Sequence, residues 1–219
     1  MADSENSRTL PAITCRNPLQ TTEWFLARNI ADQERWLPGI RDVVLIRWKA
    51  WMLAFRELGH RNCEQQELES TLFAMVPAAR VEIQLADHGG VAVVSTIKEI
   101  QDKLRGVNFA DARANAAAEL LAKRRRWDAA DLSVGYSRAK RAESEASIVE
   151  EQLAAELSEA PAMSTVAAAA KLHCILKRGA PRSDSEEFPW PQLSAMLIDL
   201  LAMNGVFSLP VVIADPGRP

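Results

Sequence analysis

The chain has 219 residues, 48 % of them hydrophobic, and a formal net charge of −3. This length suffices for one ample domain or two small ones, and the hydrophobic content excludes a largely disordered chain. The nearly balanced charge excludes a global attraction to nucleic acid or to anionic membranes, so such binding would need a local basic patch.

The lengths of the apolar runs and the pattern of cysteines predict the cellular compartment of the chain. No apolar run approaches the roughly 18 residues of a membrane span, and the polar segment 1–10 lacks the apolar core of a secretory signal. Cys15, Cys63 and Cys174 are scattered and show no CxxC spacing. This pattern predicts a reduced, cytoplasmic protein that does not associate with membranes.

The N-terminal region combines a polar arm with helical segments. Residues 1–20 contain two prolines and predict a flexible arm. A first helix is expected from Thr21 or Thr22, whose hydroxyl can cap the first amides, to a point before Pro38.

Two further helices are predicted before residue 77. One covers about 40–58, where Trp48 and Trp51 belong to a wide apolar stripe that predicts burial, and Gly59 is expected to end it as a left-handed C-cap. The other covers about 63–76 and is stopped by a proline.

The apolar period then changes from helical to alternating. Residues 81–85 alternate between apolar and polar, 87–90 read as a glycine turn, and 91–94 form a β-branched run. This pattern predicts a small β-hairpin. Thr96 and Glu99 have capping-box spacing and predict a short helix that ends near residue 106.

The segment 108–161 is rich in alanine and sorts its charges into two blocks. It predicts one long helix, or a helical hairpin broken near Gly135. The basic block contains Lys123, Arg124, Arg125, Arg126, Arg138, Lys140 and Arg141. The acidic block contains Glu143, Glu145, Glu150, Glu151, Glu156 and Glu159.

Small and apolar residues recur every seven positions in the same segment. They are Leu132, Ala139, Ala146 and Leu153, with Gly135, Ala142 and Val149 three residues after the first three. This coiled-coil-like seam predicts the close approach of a neighbouring helix.

Two helices and a tail complete the chain. Ser164 or Thr165 is expected to cap a helix that runs to Gly179, and residues 189–191 begin a last helix that closes near residue 204. We therefore predict a mainly α fold, a helical bundle with a long helical hairpin and one small β-hairpin. The predicted divisions are 1–20 (arm), 21–106 (helical unit with the β-hairpin), 107–205 (alanine-rich helical unit) and 206–219 (tail, with an apolar segment that either forms a strand or hangs free).

The C-terminal part of the chain resembles small uncharacterised helical proteins of alphaproteobacteria. In those proteins a helix ends at a proline, and a serine or threonine caps an alanine-rich helix that ends in lysine. Here the matching features are Pro161, the pair 164–165, Lys171 and the segment 188–191 before an amphipathic helix. The resemblance implies a bacterial setting and no particular activity.

One sequence pattern is similar to that of a serine hydrolase. Residues 134–139 resemble a loosened nucleophile elbow around Ser137, 88–90 resemble an oxyanion-hole loop, and His173 follows in chain order. However, a helical segment rather than a strand precedes Ser137, so we predict no catalytic residue.

A metal centre is disfavoured as well. His60 and Cys63 have H-x-x-C spacing, but a structural zinc site takes four ligands, usually in two close pairs, and the pair 173–174 is adjacent rather than spaced. We predict neither a metal nor a cofactor.

The sorted charges lead to the functional prediction. We expect a non-enzymatic interaction or adaptor protein that acts through 109–160 and binds a protein partner or a second copy. Antiparallel helices crossing near Ala142 would place each basic block beside the other's acidic block. The candidate partner-binding residues are Lys123, Arg124, Arg125, Arg126, Trp127, Arg138, Lys140, Arg141, Glu150 and Glu151.

Nucleic acid is the alternative partner. The basic block 123–141 could contact phosphates and give salt-sensitive binding with little sequence preference. The acidic block directly after it would repel DNA over a long contact.

Overall fold

The computed structural model describes residues 17–36, 42–85, 90–180 and 185–206. Within them the fold is mainly helical, with one small antiparallel β-hairpin, which confirms the predicted class. The elements are α1 (Pro18–Trp36), α2 (Val43–Met75), β1 (Val81–Gln84), β2 (Val91–Val94), α3 (Ile97–Lys103), α4 (Ala110–Val134), α5 (Tyr136–Glu159), α6 (Thr165–Gly179) and α7 (Trp190–Met203).

The chain forms two compact units. Unit 1 comprises Met1–Phe55 and Glu150–Pro219, and unit 2 comprises Arg56–Val149. The boundary predicted at residue 106 lies inside unit 2. The boundaries between the two units fall instead within α2 and within α5. The apolar segment of the C-terminal tail, the glycine turn at 87–89 and most of the N-terminal arm fall outside the described residues.

Helix α1 begins earlier than predicted. Pro18 occupies its first position, where a missing amide hydrogen costs nothing, and the Asn17 side chain accepts a hydrogen bond from the Leu19 amide at 3.0 Å. The prediction that Thr21 or Thr22 caps the helix is wrong: the Thr22 hydroxyl donates back to the Pro18 carbonyl at 2.7 Å, inside the first turn.

Helix α2 is continuous where two helices were predicted. Gly59 lies inside it and does not act as a C-cap. An interior glycine costs only about 1 kcal/mol relative to alanine. Arg61 forms ion pairs with Glu57 at 2.8 Å and with Glu64 at 2.9 Å. These two glutamates lie on either side of Gly59 in the sequence, so the pairs stabilise the helix around the glycine.

The core of unit 1 combines tryptophans with alanines. Trp48 and Trp51 of α2 are buried, as predicted from their spacing. Ser164 caps α6 by accepting from the Ala167 amide at 3.0 Å. Three wholly buried alanines of α6 (Ala167, Ala169 and Ala170) let α6 pack closely on α1 and α7.

The core of unit 2 is aliphatic and centres on the hairpin. Val81 pairs with Val94, and both side chains are buried together with Ile83, Ile100 and Leu120. The predicted capping box of α3 is present. Helix α4 packs on α3 and β1, which gives the marginal two-stranded sheet a partner.

Gly135 separates α4 from α5. Its φ of +87° places it in the left-handed region, and its amide closes α4 by donating to the Asp131 carbonyl at 2.6 Å. The predicted seven-residue seam is interrupted at Gly135. Leu132 on α4 is 85 % exposed, whereas Ala139 on α5 is buried.

Candidate functional site

The exposed cations at the junction of α4 and α5 form the main candidate surface. Arg125 and Arg126 come from the last turns of α4, and Arg138, Lys140 and Arg141 come from the first turns of α5. We call these five residues the basic face, a name that stands for the exposed cations of both helices around Gly135 and not for one side of either helix. All lie in unit 2, and in the described part of the chain none of them forms an ion pair with a carboxylate.

Two cations predicted for this surface instead hold the β-hairpin. Lys123 Nζ donates to the Arg80 carbonyl at 2.9 Å, and Arg124 Nη2 donates to the Ser95 carbonyl at 2.8 Å. These carbonyls flank β1 and β2 at the open end of the hairpin. Lys123 also pairs with Glu119 at 2.7 Å. Both side chains therefore support the fold, and Lys123 is also paired with a carboxylate.

Trp127 is a packing residue as well. Its ring lies edge-on to Phe73 of α2, with 5.3 Å between ring centroids. It is only partly exposed, so it does not offer an open stacking platform.

The first turn of α5 orients two members of the basic face. The Arg138 guanidinium lies over Gly135, since a Cβ built there would come within 2.9 Å of its Nη2. This places positive charge at the C-terminal end of α4, where the helix dipole is negative. Lys140 Nζ lies 5.9 Å from the centroid of the Tyr136 ring, and the Tyr136 hydroxyl donates to Glu69 at 3.1 Å.

The two candidate glutamates have opposite environments. Glu150 is only 4 % exposed, accepts a hydrogen bond from Trp51 Nε1 at 2.6 Å and forms an ion pair with Arg178 Nε at 2.9 Å. Its carboxylate is therefore bound inside unit 1 and offers almost no exposed surface to a partner. Glu151 is exposed and remains a candidate.

A second buried polar contact was not predicted from the sequence. His173 is wholly buried in unit 1, and its Nδ1 accepts a hydrogen bond from Trp48 Nε1 at 3.2 Å. The proton of the neutral ring is therefore on Nε2, which lies 3.9 Å from Glu23 Oε1. Glu23 itself pairs with Lys177 at 2.9 Å.

Burial dominates the protonation of these groups. It lowers the pKa of His173 to about 4, against the opposing attraction of the Glu23 carboxylate. Burial also raises the pKa of the neighbouring Cys174 thiol to about 12, so the thiolate needed for nucleophilic attack does not form near neutral pH.

Ser137, His60 and Cys63 all lie in helices, and residues 88–89, considered with them, are outside the described residues. The Ser137 amide donates to Asp131 at 2.8 Å in a helix–helix junction, not in a strand-to-helix turn. His60 and Cys63 lie apart from any larger ligand set: no group of three or more His, Cys, Asp or Glu side chains placed to hold a metal occurs among the described residues.

Searches of family models, curated proteins and solved structures found no match to this chain. The resemblance to alphaproteobacterial proteins therefore stays a prediction. None of the described helices is long and apolar enough to cross a membrane.

Proposed function

We propose that this chain is a non-enzymatic interaction protein that binds an acidic protein partner through the basic face of unit 2. The observation that carries the proposal is the set of five exposed cations without a carboxylate partner among the described residues. Two other cations of the same block bind backbone carbonyls of the hairpin. A surface that keeps unneutralised charge favours and steers a partner of opposite charge.

An apolar residue beside the cations favours a protein partner. Leu132 is 85 % exposed and lies seven residues after Arg125, which puts both on the same side of α4. Protein interfaces combine arginine with apolar contacts, whereas phosphate contacts have no use for an exposed leucine. Asp128 lies between them and limits the positive charge, which again suits a protein better than a phosphate backbone.

The test compares charge reversals on and off the basic face. The variants are Arg125→Glu with Arg126→Glu, and Lys140→Glu with Arg141→Glu. The matched control is Lys98→Glu with Lys103→Glu, two exposed lysines of α3 in the same unit. Fluorescence anisotropy with labelled poly-glutamate, a model acidic chain, should show about a tenfold weaker affinity for each face variant, or roughly 1.4 kcal/mol, and little change for the control.

A second experiment addresses the leucine. Leu132→Ser should weaken binding to an acidic protein partner obtained by cross-linking, but should leave poly-glutamate binding unchanged. Equal binding of the face variants and the α3 control would overturn the proposal.

Nucleic acid is the second candidate partner. The same cations favour it, since each contact between a cation and a phosphate releases counterions and steepens the salt dependence of binding. Stronger binding to duplex DNA than to poly-glutamate, lost in both face variants, would put this function first. A second copy of the chain is tested by sedimentation: self-association would have to bring exposed glutamates such as Glu145 and Glu151 against the basic face.

The described cysteines support a proposed cytoplasmic location. Cys63 is exposed and Cys174 is buried, and both are free thiols. Free thiols suit a reducing compartment.

A further inference from the structure

A cleft of about 550 Å³ opens in unit 1 between the C-terminal part of α5 and α6. Its walls are largely apolar: Ala154 and Leu157 come from α5, and Ile175 comes from α6. Ile175 is 49 % exposed, so about half of its side chain is open to solvent. The volume falls in the range of about 300–1,000 Å³ that holds small organic ligands.

The indole of Trp190 closes one end of the cleft. It packs directly on Gly179 at the end of α6, because a Cβ at this position would overlap the ring. This close approach of ring and backbone places an aromatic side chain in the lining at that end of the cleft. An aromatic side chain there can contact the apolar part of a ligand.

The two cations of the cleft differ in their charge balance. Lys171 and Arg178 lie seven residues apart on one side of α6, about 10 Å along the helix axis. Arg178 is neutralised by Glu150 at 2.9 Å. Lys171 Nζ donates to the Ala160 carbonyl at 2.8 Å and, among the described residues, pairs with no carboxylate. Its positive charge and further donors remain available.

We propose that this cleft binds an amphipathic carboxylate of medium chain length. The carboxylate pairs with Lys171, and the apolar chain follows Ala155 and Ile175 toward Trp190. The opposite orientation is disfavoured, because Glu150 and Glu151 already place negative charge at the Arg178 end. The proposal concerns unit 1 alone and is independent of the basic face.

The experiment is titration calorimetry of the full chain with monomeric octanoate. The expected result is one site per chain, with affinity lowered about tenfold by Lys171→Met, a loss of roughly 1.4 kcal/mol. The matched control is Lys49→Met, which removes an exposed lysine of unit 1 that is not part of the cleft wall, and octanoate binding should be unchanged.

A second variant separates loss of the site from loss of the fold. Ala155 lines the cleft and is exposed, so Ala155→Trp should fill the cleft and abolish octanoate binding while the circular dichroism spectrum stays that of the natural chain. Unchanged affinity in either Lys171→Met or Ala155→Trp overturns the proposal.

Three further ligands test its chemistry. Octanol should bind more weakly than octanoate, and octyltrimethylammonium more weakly still. A reversed order would show that Lys171 does not select the ligand and would overturn the proposal. Sedimentation with phosphatidylglycerol vesicles distinguishes the free carboxylate from a membrane surface: binding to vesicles without binding to octanoate also overturns it.

Discussion

In unit 1, tryptophans donate hydrogen bonds to buried polar side chains, whereas in unit 2 the core is aliphatic and the charged side chains lie at the surface. The three buried polar or charged residues of the described chain, Thr22, Glu150 and His173, all belong to unit 1. The buried cluster of unit 2 consists of valine, isoleucine, leucine and alanine side chains.

This difference separates stability from binding. A buried carboxylate or imidazole costs a large desolvation free energy unless its partners are in place, so unit 1 depends on a few specific contacts. Cations at the surface cost little, so exposed cations of unit 2 can be substituted without unfolding it. We therefore expect core substitutions in unit 1 to affect stability most, and surface substitutions in unit 2 to affect binding most.

The largest expected effect is that of Trp51→Ala. Trp51 is wholly buried, and its removal leaves a cavity and takes a donor from Glu150. We expect the free energy of unfolding to fall by about 3–5 kcal/mol. Urea unfolding followed by circular dichroism measures it. Trp127→Ala in unit 2 is the matched control and should cost roughly 1–2 kcal/mol, since that ring is partly exposed. Equal losses would remove the contrast between the units.

Acid should act through unit 1. His173 has a folded pKa of about 4 and an unfolded pKa near its ordinary value of 6.5. Between these two values the unfolded chain binds a proton that the folded chain does not, so the stabilisation is complete above pH 6.5 and is lost as pH falls toward 4. The full loss is about 3 kcal/mol.

Urea unfolding between pH 7 and pH 4 checks this prediction. His173→Gln keeps a hydrogen-bond acceptor for Trp48. In this variant the free energy of unfolding should fall by about 3 kcal/mol less between pH 7 and pH 4 than in the natural chain. His60→Gln, at an exposed position of unit 2, should follow the natural chain. A pH profile unaffected by His173→Gln would show that the acid response comes from other groups.

Local patterns were sufficient where the interacting residues are neighbours in sequence. The capping box at Thr96 and Glu99, the alternation of the hairpin and the helical spacing of Trp48 and Trp51 all correspond to the structure. In each case the distance between partners is set by one strand or one helical turn, which the sequence displays directly.

The candidate site was less predictable because its residues are assigned by distant contacts. Glu150 and Glu151 are adjacent in the sequence, yet the first is bound by Trp51 of α2 and Arg178 of α6, and the second is exposed. Lys123 and Arg124 are likewise recruited by carbonyls far away in the chain. A pattern of charges in the sequence cannot show which of the charged residues bind groups that are distant in the chain. The sequence signal that bears on the buried pairs was the burial predicted for Trp48 and Trp51, since a buried indole usually has a hydrogen-bond acceptor.

The smallest expected effects concern the glycines Gly59 and Gly135, both of unit 2. Gly59 lies inside α2, and a methyl group added there would meet open space, so Gly59→Ala should raise the free energy of unfolding by up to about 1 kcal/mol. Gly135→Ala should lower it by roughly 1–2 kcal/mol, because φ of +87° strains any residue with a Cβ. Arg138 can move aside, so the backbone and not the contact sets this cost.

Paired urea unfolding curves of the two variants test both positions in one experiment. Opposite signs would show that the helix break is fixed by the backbone at Gly135 and that α2 is continuous through Gly59. If Gly59→Ala also destabilised the chain, this would indicate that α2 is interrupted at Gly59. The result would then favour the two separate helices expected from the sequence. The two variants thus test whether unit 2, which lacks a buried polar network in its described part, takes its shape from backbone conformation and aliphatic packing alone.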